Sequence, residues 1–195
     1  MGWLRRQWWY VTLPRTQPAA ADPPASELPE DEQRRVRNVL RRFDTADAAV
    51  REEAWKELPP GRLALPFLRE AFPETKRMEA RISMVYEATF FARVSEDAFQ
   101  LGLLGCRDRS KHVRDRACGV LAYSLRKDAL PFLRPLLRAD DEVTREAAEG
   151  AVDAIKHQNH SLYWGHDALR GQTFWVVNRG DDPWFPDAGR DIDRE

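Results

Sequence analysis

Three of the four histidines in this 195-residue chain lie within ten residues of one another, and imidazole is a common metal ligand. His157 and His160 are three positions apart, one helical turn, so both could reach one metal ion if a helix continues there. His166 stands beside Asp167, a pair that also suits a hairpin turn. A histidine that ends a helix equally well meets free carbonyls and the negative end of the dipole. We therefore predict no metal and no cofactor, with His157 and His160 as the candidates to check.

A second cluster is basic and crowds one inter-helix turn and the helix that follows it: Arg107, Arg109, Lys111, Arg114 and Arg116. Cations near a helix N-terminus can hold phosphate, so these residues are the candidate phosphate-binding site of a nucleic-acid protein. The whole chain argues against that function, because its pI is near 6.5 and its net charge is −1. In the alternative interpretation Arg114 braces neighbouring helices by bonding to a loop acid such as Asp108, and Arg51 and Arg145 do the same.

Acidic residues form a stripe along the last predicted helix, at spacings of four, three and four: Glu142, Glu146, Glu149 and Asp153. Like charges four apart repel by some tenths of a kcal/mol, so the stripe does not serve helix stability. It is either the polar outer face of a terminal repeat or a surface that steers a basic partner protein. On the second interpretation these four acids, together with Tyr123 and Arg116, are the predicted partner-binding residues.

Other features exclude several functions. The chain has no glycine-rich phosphate loop, no GxSxG elbow and no recognisable Cys–His pair, so no catalytic residues are predicted. Cys106 and Cys118 are expected to be small buried residues in a reducing cytosol. No stretch approaches 18 apolar residues, and the apolar run after Arg5-Arg6 is too short for a signal peptide. We predict an unprocessed cytoplasmic protein.

The elements that position these residues are short amphipathic helices, since apolar residues recur at spacings of three and four from Glu30 to Lys156. The predicted spans are 31–43, 47–57, 62–72, 76–92, 96–105, 111–124, 128–138 and 142–156. Cap signals precede four of these helices: Asp44-Thr45 and Asp47 before the second, Ser95-Glu96-Asp97 before the fifth, Ser110 before the sixth, and Asp140-Asp141 before the eighth.

The helices repeat. Ala64-Leu-Pro-Phe-Leu-Arg69 recurs 65 positions later as Ala129-Leu-Pro-Phe-Leu-Arg134, and Val50-Arg51-x-x-Ala54 recurs 63 later as Val113-Arg114-x-x-Ala117. The middle unit lacks Val-Arg and carries aromatic residues instead. A period near 30 built from helix pairs predicts a solenoid.

These units resemble the short bacterial HEAT repeat of the phycobilisome-lyase type over residues 31–156. The resemblance implies that helices 76–92, 111–124 and 142–156 line a concave face. It says almost nothing about function. A HEAT-like class of similar size, the alkylpurine DNA glycosylases, grips DNA on a basic concave face. For this chain that function would use the basic turn, with Tyr123 or Trp55 near the base. A cofactor lyase is suggested only by the repeat subtype.

The two ends of the chain differ from the repeats. Residues 1–29 combine aromatic residues with five prolines and are predicted to be an extended arm and linker. Residues 157–195 contain two β-prone runs, 161–164 and 173–177, which predict a small hairpin followed by a polar tail. We expect the tryptophan-rich ends to cap the open edges of the repeat domain, residues 30–156.

The predicted fold is therefore all-α: a right-handed α-α solenoid of about four HEAT-like helix pairs, with an N-terminal arm and a C-terminal β-hairpin. The predicted function is a cytoplasmic protein-binding scaffold with a preformed surface, for example a bacterial immunity-type inhibitor of a basic toxin or effector. The alternative is a HEAT-like DNA-binding protein or alkylpurine DNA glycosylase.

Overall fold

The computed structural model describes residues 28–164. Of the predicted arm it includes Leu28 and Pro29, and of the predicted hairpin and tail it includes 157–164. Every regular element in this part of the chain is a helix and none is a strand, so the all-α prediction is confirmed for it.

Nine α-helices follow one another within residues 28–164: α1 (Glu30–Phe43), α2 (Ala48–Lys56), α3 (Leu65–Ala71), α4 (Met78–Thr89), α5 (Glu96–Gly105), α6 (Lys111–Ser124), α7 (Leu130–Leu133), α8 (Glu142–Lys156) and α9 (Ser161–Trp164). Short 3-10 turns flank the two helices that begin with Leu-Pro: Gly61–Ala64, Phe72–Glu74, Lys127–Ala129 and Arg134–Arg138.

The predicted spans 96–105, 111–124 and 142–156 coincide with α5, α6 and α8. The predicted helix 128–138 is instead the four-residue α7 between two 3-10 turns. Pro135 explains the break, because it has no N–H to donate to the carbonyl of Pro131.

Side-chain caps form at three of the four predicted helix starts. Asp47, Ser95 and Asp141 accept backbone N–H groups at the beginnings of α2, α5 and α8. Ser110 makes no such bond at α6; its own backbone N–H donates to the carboxylate of Asp108. A short polar side chain two residues before the cap therefore holds this helix start.

The prediction that residues 161–164 form a strand is wrong, because these residues are the helical turn α9. The backbone N–H of Ser161 donates to the side chain of Asn159 at 3.0 Å, which starts the turn. Leu162 is buried and Tyr163 packs against the core. This tertiary packing outweighs the β propensity of the segment. The second predicted strand, 173–177, lies outside the described residues.

Two runs of helices pack side by side, one of odd-numbered and one of even-numbered helices. Among odd-numbered helices, α1 packs on α3 and α3 on α5; among even-numbered ones, α4 packs on α6 and α6 on α8. Contacts between the runs join α1 to α2, α4 to α5, α5 to α6 and α7 to α8. The three helices predicted to line one face thus lie side by side. An apolar core fills the space between the runs and includes Phe43, Leu68, Met84, Phe99, Leu121 and Ile155.

Glycine allows α5 to approach α6 closely. A Cβ atom added at Gly102 would lie 2.9 Å from Cγ1 of Val120, and one added at Gly105 would lie 2.8 Å from Cβ of Ala117. Both distances are shorter than carbon atoms tolerate, so these positions require glycine.

Within the part of the chain that the structure describes, no helix has both the length and the apolar character needed to cross a membrane.

Candidate protein-binding surface

A row of four arginines runs across the even-numbered helices. Arg51, Arg81, Arg114 and Arg145 are separated by 30, 33 and 31 positions, and each donates to the backbone carbonyl six residues before it. The row shows that Arg81 holds the repeat position in the middle unit, where the sequence pattern lacks Val-Arg. We call these four residues the arginine row.

The two central members of the row join successive units. Arg81 makes two hydrogen bonds to the carboxylate of Asp108, at 2.6 and 3.1 Å, and both side chains are nearly buried, at 6% and 7% exposure. Arg114 donates to the carboxylate of Asp141 at 2.6 Å and to the hydroxyl of Thr144 at 3.0 Å. The expected bracing by Arg114 is present, but the carboxylate it meets is Asp141; from Asp108 it takes only the carbonyl.

Asp141 has two roles: it accepts the hydrogen bond from Arg114 and it caps the N-terminus of α8. Its partial burial would raise the pKa of the carboxyl, but hydrogen bonds from Thr144 and Arg114 outweigh that effect and lower the pKa to about 2. The charged Asp141 carboxylate pairs with Arg114 at the joint between α6 and α8.

The residue five positions after the row arginine differs between α4, α6 and α8, and so does the side chain that packs over it. On α6 and α8 this position is glycine, and Tyr163 lies over both: a Cβ atom at Gly119 would be 3.2 Å from the tyrosine ring, and one at Gly150 would be 3.3 Å from its carbonyl oxygen. The Tyr163 hydroxyl donates to the backbone carbonyl of Asp115 at 2.7 Å. Burial and the nearby Asp115 carboxylate raise the pKa of Tyr163 well above its usual range. Tyr163 thus binds α9 to both helices.

On α4 the equivalent position is Tyr86, which is 50% exposed. Phe90, the residue that follows the last residue of α4, is 41% exposed, and the two rings meet edge to face with centroids 5.3 Å apart. The guanidinium carbon of Arg116, on α6, lies 5.8 Å from the centre of the Tyr86 ring. We call Tyr86, Phe90 and Arg116 the aromatic patch. Of its members, only Arg116 was among the predicted partner-binding residues, although two aromatic residues four apart on one predicted helix were visible in the sequence.

The other predicted partner-binding residues have different surroundings. Glu142 and Glu146 are exposed on α8, whereas Glu149 and Asp153 are half-buried. Tyr123 is half-buried, and its ring lies 4.8 Å from that of His160. Of the five, then, the structure presents Glu142 and Glu146 to solvent most openly.

The residues of the predicted phosphate site do not converge. The guanidinium of Arg107 lies over the Phe132 ring, Arg109 donates to the carbonyl of Lys76, and Lys111 is exposed. Arg114 is committed to Asp141, and Arg116 lies over Tyr86. Their contacts lead in different directions, so the geometry gives no single anion cradle.

The two candidate metal ligands, His157 and His160, have different surroundings. His157 ends α8 and is exposed. His160 faces Arg93, whose Nη2 lies 3.0 Å from the imidazole Nδ1. A permanent cation at that nitrogen disfavours a second cation there. Among the described residues no group of three or more His, Cys, Asp or Glu side chains could hold a metal ion; His166 lies outside them.

Both cysteines are buried free thiols, as predicted. A hydrogen bond with Cys106, together with burial, raises the pKa of Cys118 well above its usual range. A protonated, enclosed thiol is a poor nucleophile, so we assign Cys118 a structural role.

Two open clefts border α1 and are lined chiefly by charged side chains such as Arg34 and Arg42. None of their lining residues belongs to the arginine row or the aromatic patch, and none is a histidine or a cysteine. We assign them no role in binding.

Comparison of the chain with protein-family models, with curated proteins and with solved structures gives no match.

Proposed function

We propose that the chain is a HEAT-like α-solenoid that acts as a protein-binding scaffold in the cytoplasm. The side-by-side packing of odd-numbered and of even-numbered helices supports the solenoid, as does the regular arginine row. The two buried free thiols suit a reducing compartment.

The observation that carries the binding function is the aromatic patch. Of the exposed large apolar side chains in the described residues, Tyr86 and Phe90 are adjacent and contact each other. Tyrosine and arginine are enriched among the residues that contribute most to protein interfaces. The ion pairs Arg81–Asp108 and Arg114–Asp141 join the units that carry the patch, so little ordering of the backbone would oppose binding.

The acidic residues of α8 extend this surface and suggest the charge of the partner. Glu146 follows its row arginine by one position and Tyr86 follows its own by five, so the two lie on the same side of their helices. Exposed Glu142 and Glu146 would steer a basic protein towards the patch. An immunity-type inhibitor of a basic toxin or effector is the concrete form of this proposal.

Affinity capture tests the proposal. Immobilised full-length protein is incubated with an extract of the organism that produces it, in parallel with the Tyr86→Ala/Phe90→Ala double variant. The matched control is Val50→Ala, which removes a side chain of similar exposure on α2. We expect a partner that the parent and the control retain and the double variant loses. Glu142→Lys with Glu146→Lys should weaken its retention, most strongly at low salt. If every retained protein binds all variants equally, the proposed surface is wrong.

The DNA-binding alternative has less support, because Arg114 and Arg116 are engaged within the molecule. A salt-sensitive shift of duplex DNA that Arg107→Ala with Lys111→Ala abolishes would favour it over the scaffold.

A further inference from the structure

We infer that the half-buried carboxylate of Glu87, next to the ring of Phe90, is the binding site for one arginine side chain of the partner protein. This role depends on the proposed function, because it names the group that the aromatic patch recognises in its partner. Three features of Glu87 support it: its position in the repeat, its missing counter-ion and its aromatic neighbours.

Glu87 occupies a position that is apolar in the two units that follow. It stands six residues after the row arginine of its own helix, α4. On α6 and α8 the same position holds Val120 and Ala151, whose side chains are fully buried. On α4 the residue is charged and only half-buried. Such departures from the local pattern of a fold concentrate at functional sites.

The Glu87 carboxylate makes no hydrogen bond or ion pair in the part of the chain that the structure describes. Burial raises the pKa of this carboxyl, because no cation offsets the cost of removing the charge from water. The same position after Arg51 holds Glu57, which accepts hydrogen bonds of 2.9 Å on both carboxylate oxygens from the guanidinium of Arg42. These bonds lower the pKa of Glu57. Glu57 therefore shows the arginine contact that Glu87 lacks.

The aromatic neighbours of Glu87 suit a planar cation. Each residue turns an α-helix by about 100°, so Phe90, whose backbone is still helical, lies between Tyr86 and Glu87 around the axis of α4. Arg116 contacts the ring of Tyr86 and forms no ion pair with Glu87. An arginine inserted beside Phe90 would stack its guanidinium on the ring and bond both oxygens of Glu87. Lysine has no such planar fork, so arginine fits the site better.

The charge of this ligand agrees with the acids that the even-numbered helices expose. Glu142 and Glu146 on α8 attract a basic protein from a distance, and Glu87 would bind one of its arginines at contact. In the free protein the unpaired Glu87 carboxylate lowers stability, because burial removes part of its hydration. An arginine from the partner would offset that loss, so the missing counter-ion favours binding.

An NMR titration of the full-length protein tests the site without a partner. The probe is N-acetyl-arginine amide, and its control is N-acetyl-citrulline amide, which has the same shape without the charge. We expect the backbone amide signals of residues 86–90 to shift with millimolar arginine probe, and not with the citrulline probe or in the Glu87→Gln variant. Equal shifts with both probes, equal shifts in parent and variant, or no shift at all would overturn the inference.

The thermal stability of Glu87→Gln separates lost binding from lost folding. The variant should unfold at the temperature of the parent or above it, because the change removes an unpaired, half-buried charge. A lower unfolding temperature would show that the charge is satisfied within the molecule, and would refute the site.

The captured partner gives a second measurement. Glu87→Gln should weaken its retention by about tenfold, the effect of losing one charge-assisted pair, and Glu79→Gln should not. Glu79 is the matched control, because it is an exposed acid on the same helix with no ion pair within residues 28–164. A partner that needs Tyr86 and Phe90 but binds Glu87→Gln fully would refute the arginine site and leave the proposed function standing. A response to the arginine probe without any patch-dependent partner would support the site and reject the proposed function.

Discussion

The α4–α6–α8 block and the α1–α3 end of the molecule are both built from paired helices, but different contacts join them. In the block, Arg81 and Arg114 reach carboxylates of the following unit, and Tyr163 lies across two helices. At the α1–α3 end, Arg42 pairs with Glu57 and Arg37 with Glu70 on the exposed surface, while Arg51 bonds to the carbonyl of Thr45. Removing one partner of a buried ion pair is costly, whereas the attraction between exposed charges is weakened by water and salt and contributes little to stability. We therefore expect similar substitutions to lower the free energy of unfolding by different amounts in the two regions.

The largest effect is expected at the Arg81–Asp108 joint. Asp108→Ala leaves a nearly buried guanidinium without its carboxylate and should lower the free energy of unfolding by about 3–5 kcal/mol. Urea denaturation followed by circular dichroism measures the loss. The control is Arg81→Met combined with Asp108→Leu, which removes both charges and should cost far less than the single change. Equal losses for the single and double variants would contradict the comparison.

A smaller loss is expected for Arg114→Met, because this joint is more open to water. The pH dependence of stability shows whether the Arg114–Asp141 contact causes this loss. The pKa of Asp141 is lowered from an ordinary 3.8 to about 2, so its contribution to stability is present above pH 4 and disappears as the pH falls towards 2. The parent should therefore lose more stability across this window than Arg114→Met does. Parallel acid denaturation curves would show that the Arg114 contact does not lower the pKa.

The covering of Gly119 by Tyr163 can be tested with a double-mutant cycle. Replacing glycine by alanine inside a helix normally stabilises it by about 0.5–1 kcal/mol. We expect that gain from Gly119→Ala only when Tyr163→Ala has removed the ring that the new methyl group would meet. In the parent background the change should be neutral or destabilising. A gain of the same size in both backgrounds would place Tyr163 elsewhere.

The smallest effect is expected for Arg42→Met at the α1–α2 contact. Both partners are largely exposed, so thermal unfolding of the variant should match that of the parent at physiological salt. A clear loss of stability would show that the exposed ion pairs of the α1–α3 end matter as much as the shielded ones of the α4–α6–α8 block.

Several elements could be predicted from sequence because the signal lay within each helix. The spans of α5, α6 and α8 follow from apolar spacing and from caps such as Ser95 and Asp141. Arg81 was missed because Ala80 replaces the valine of the Val-Arg motif, although its position between Arg51 and Arg114 fits the period. Spacing alone could have located it.

Other features depend on packing that local sequence does not encode. Residues 161–164 have β propensity, yet they form a helical turn because Gly119 and Gly150 leave room for Tyr163. Likewise, Tyr123 was predicted to bind a partner and Tyr86 was not, but the ring of Tyr123 lies against His160 while that of Tyr86 is half exposed. Which aromatic residue is exposed follows from the arrangement of neighbouring helices.

The separations of the bonded residues also bear on how the molecule assembles. Contacts between successive units join residues a similar distance apart in the chain: 27 for Arg81–Asp108 and Arg114–Asp141, and 33 for Asp44–Arg77 and for Gln158–Leu125. The entropy lost on closing a loop depends on its length, so each contact costs about the same to form wherever it lies. Nucleation of folding then has no required starting point among the described helices, and kinetic φ-values at Asp108 and Asp141 should be similar and fractional.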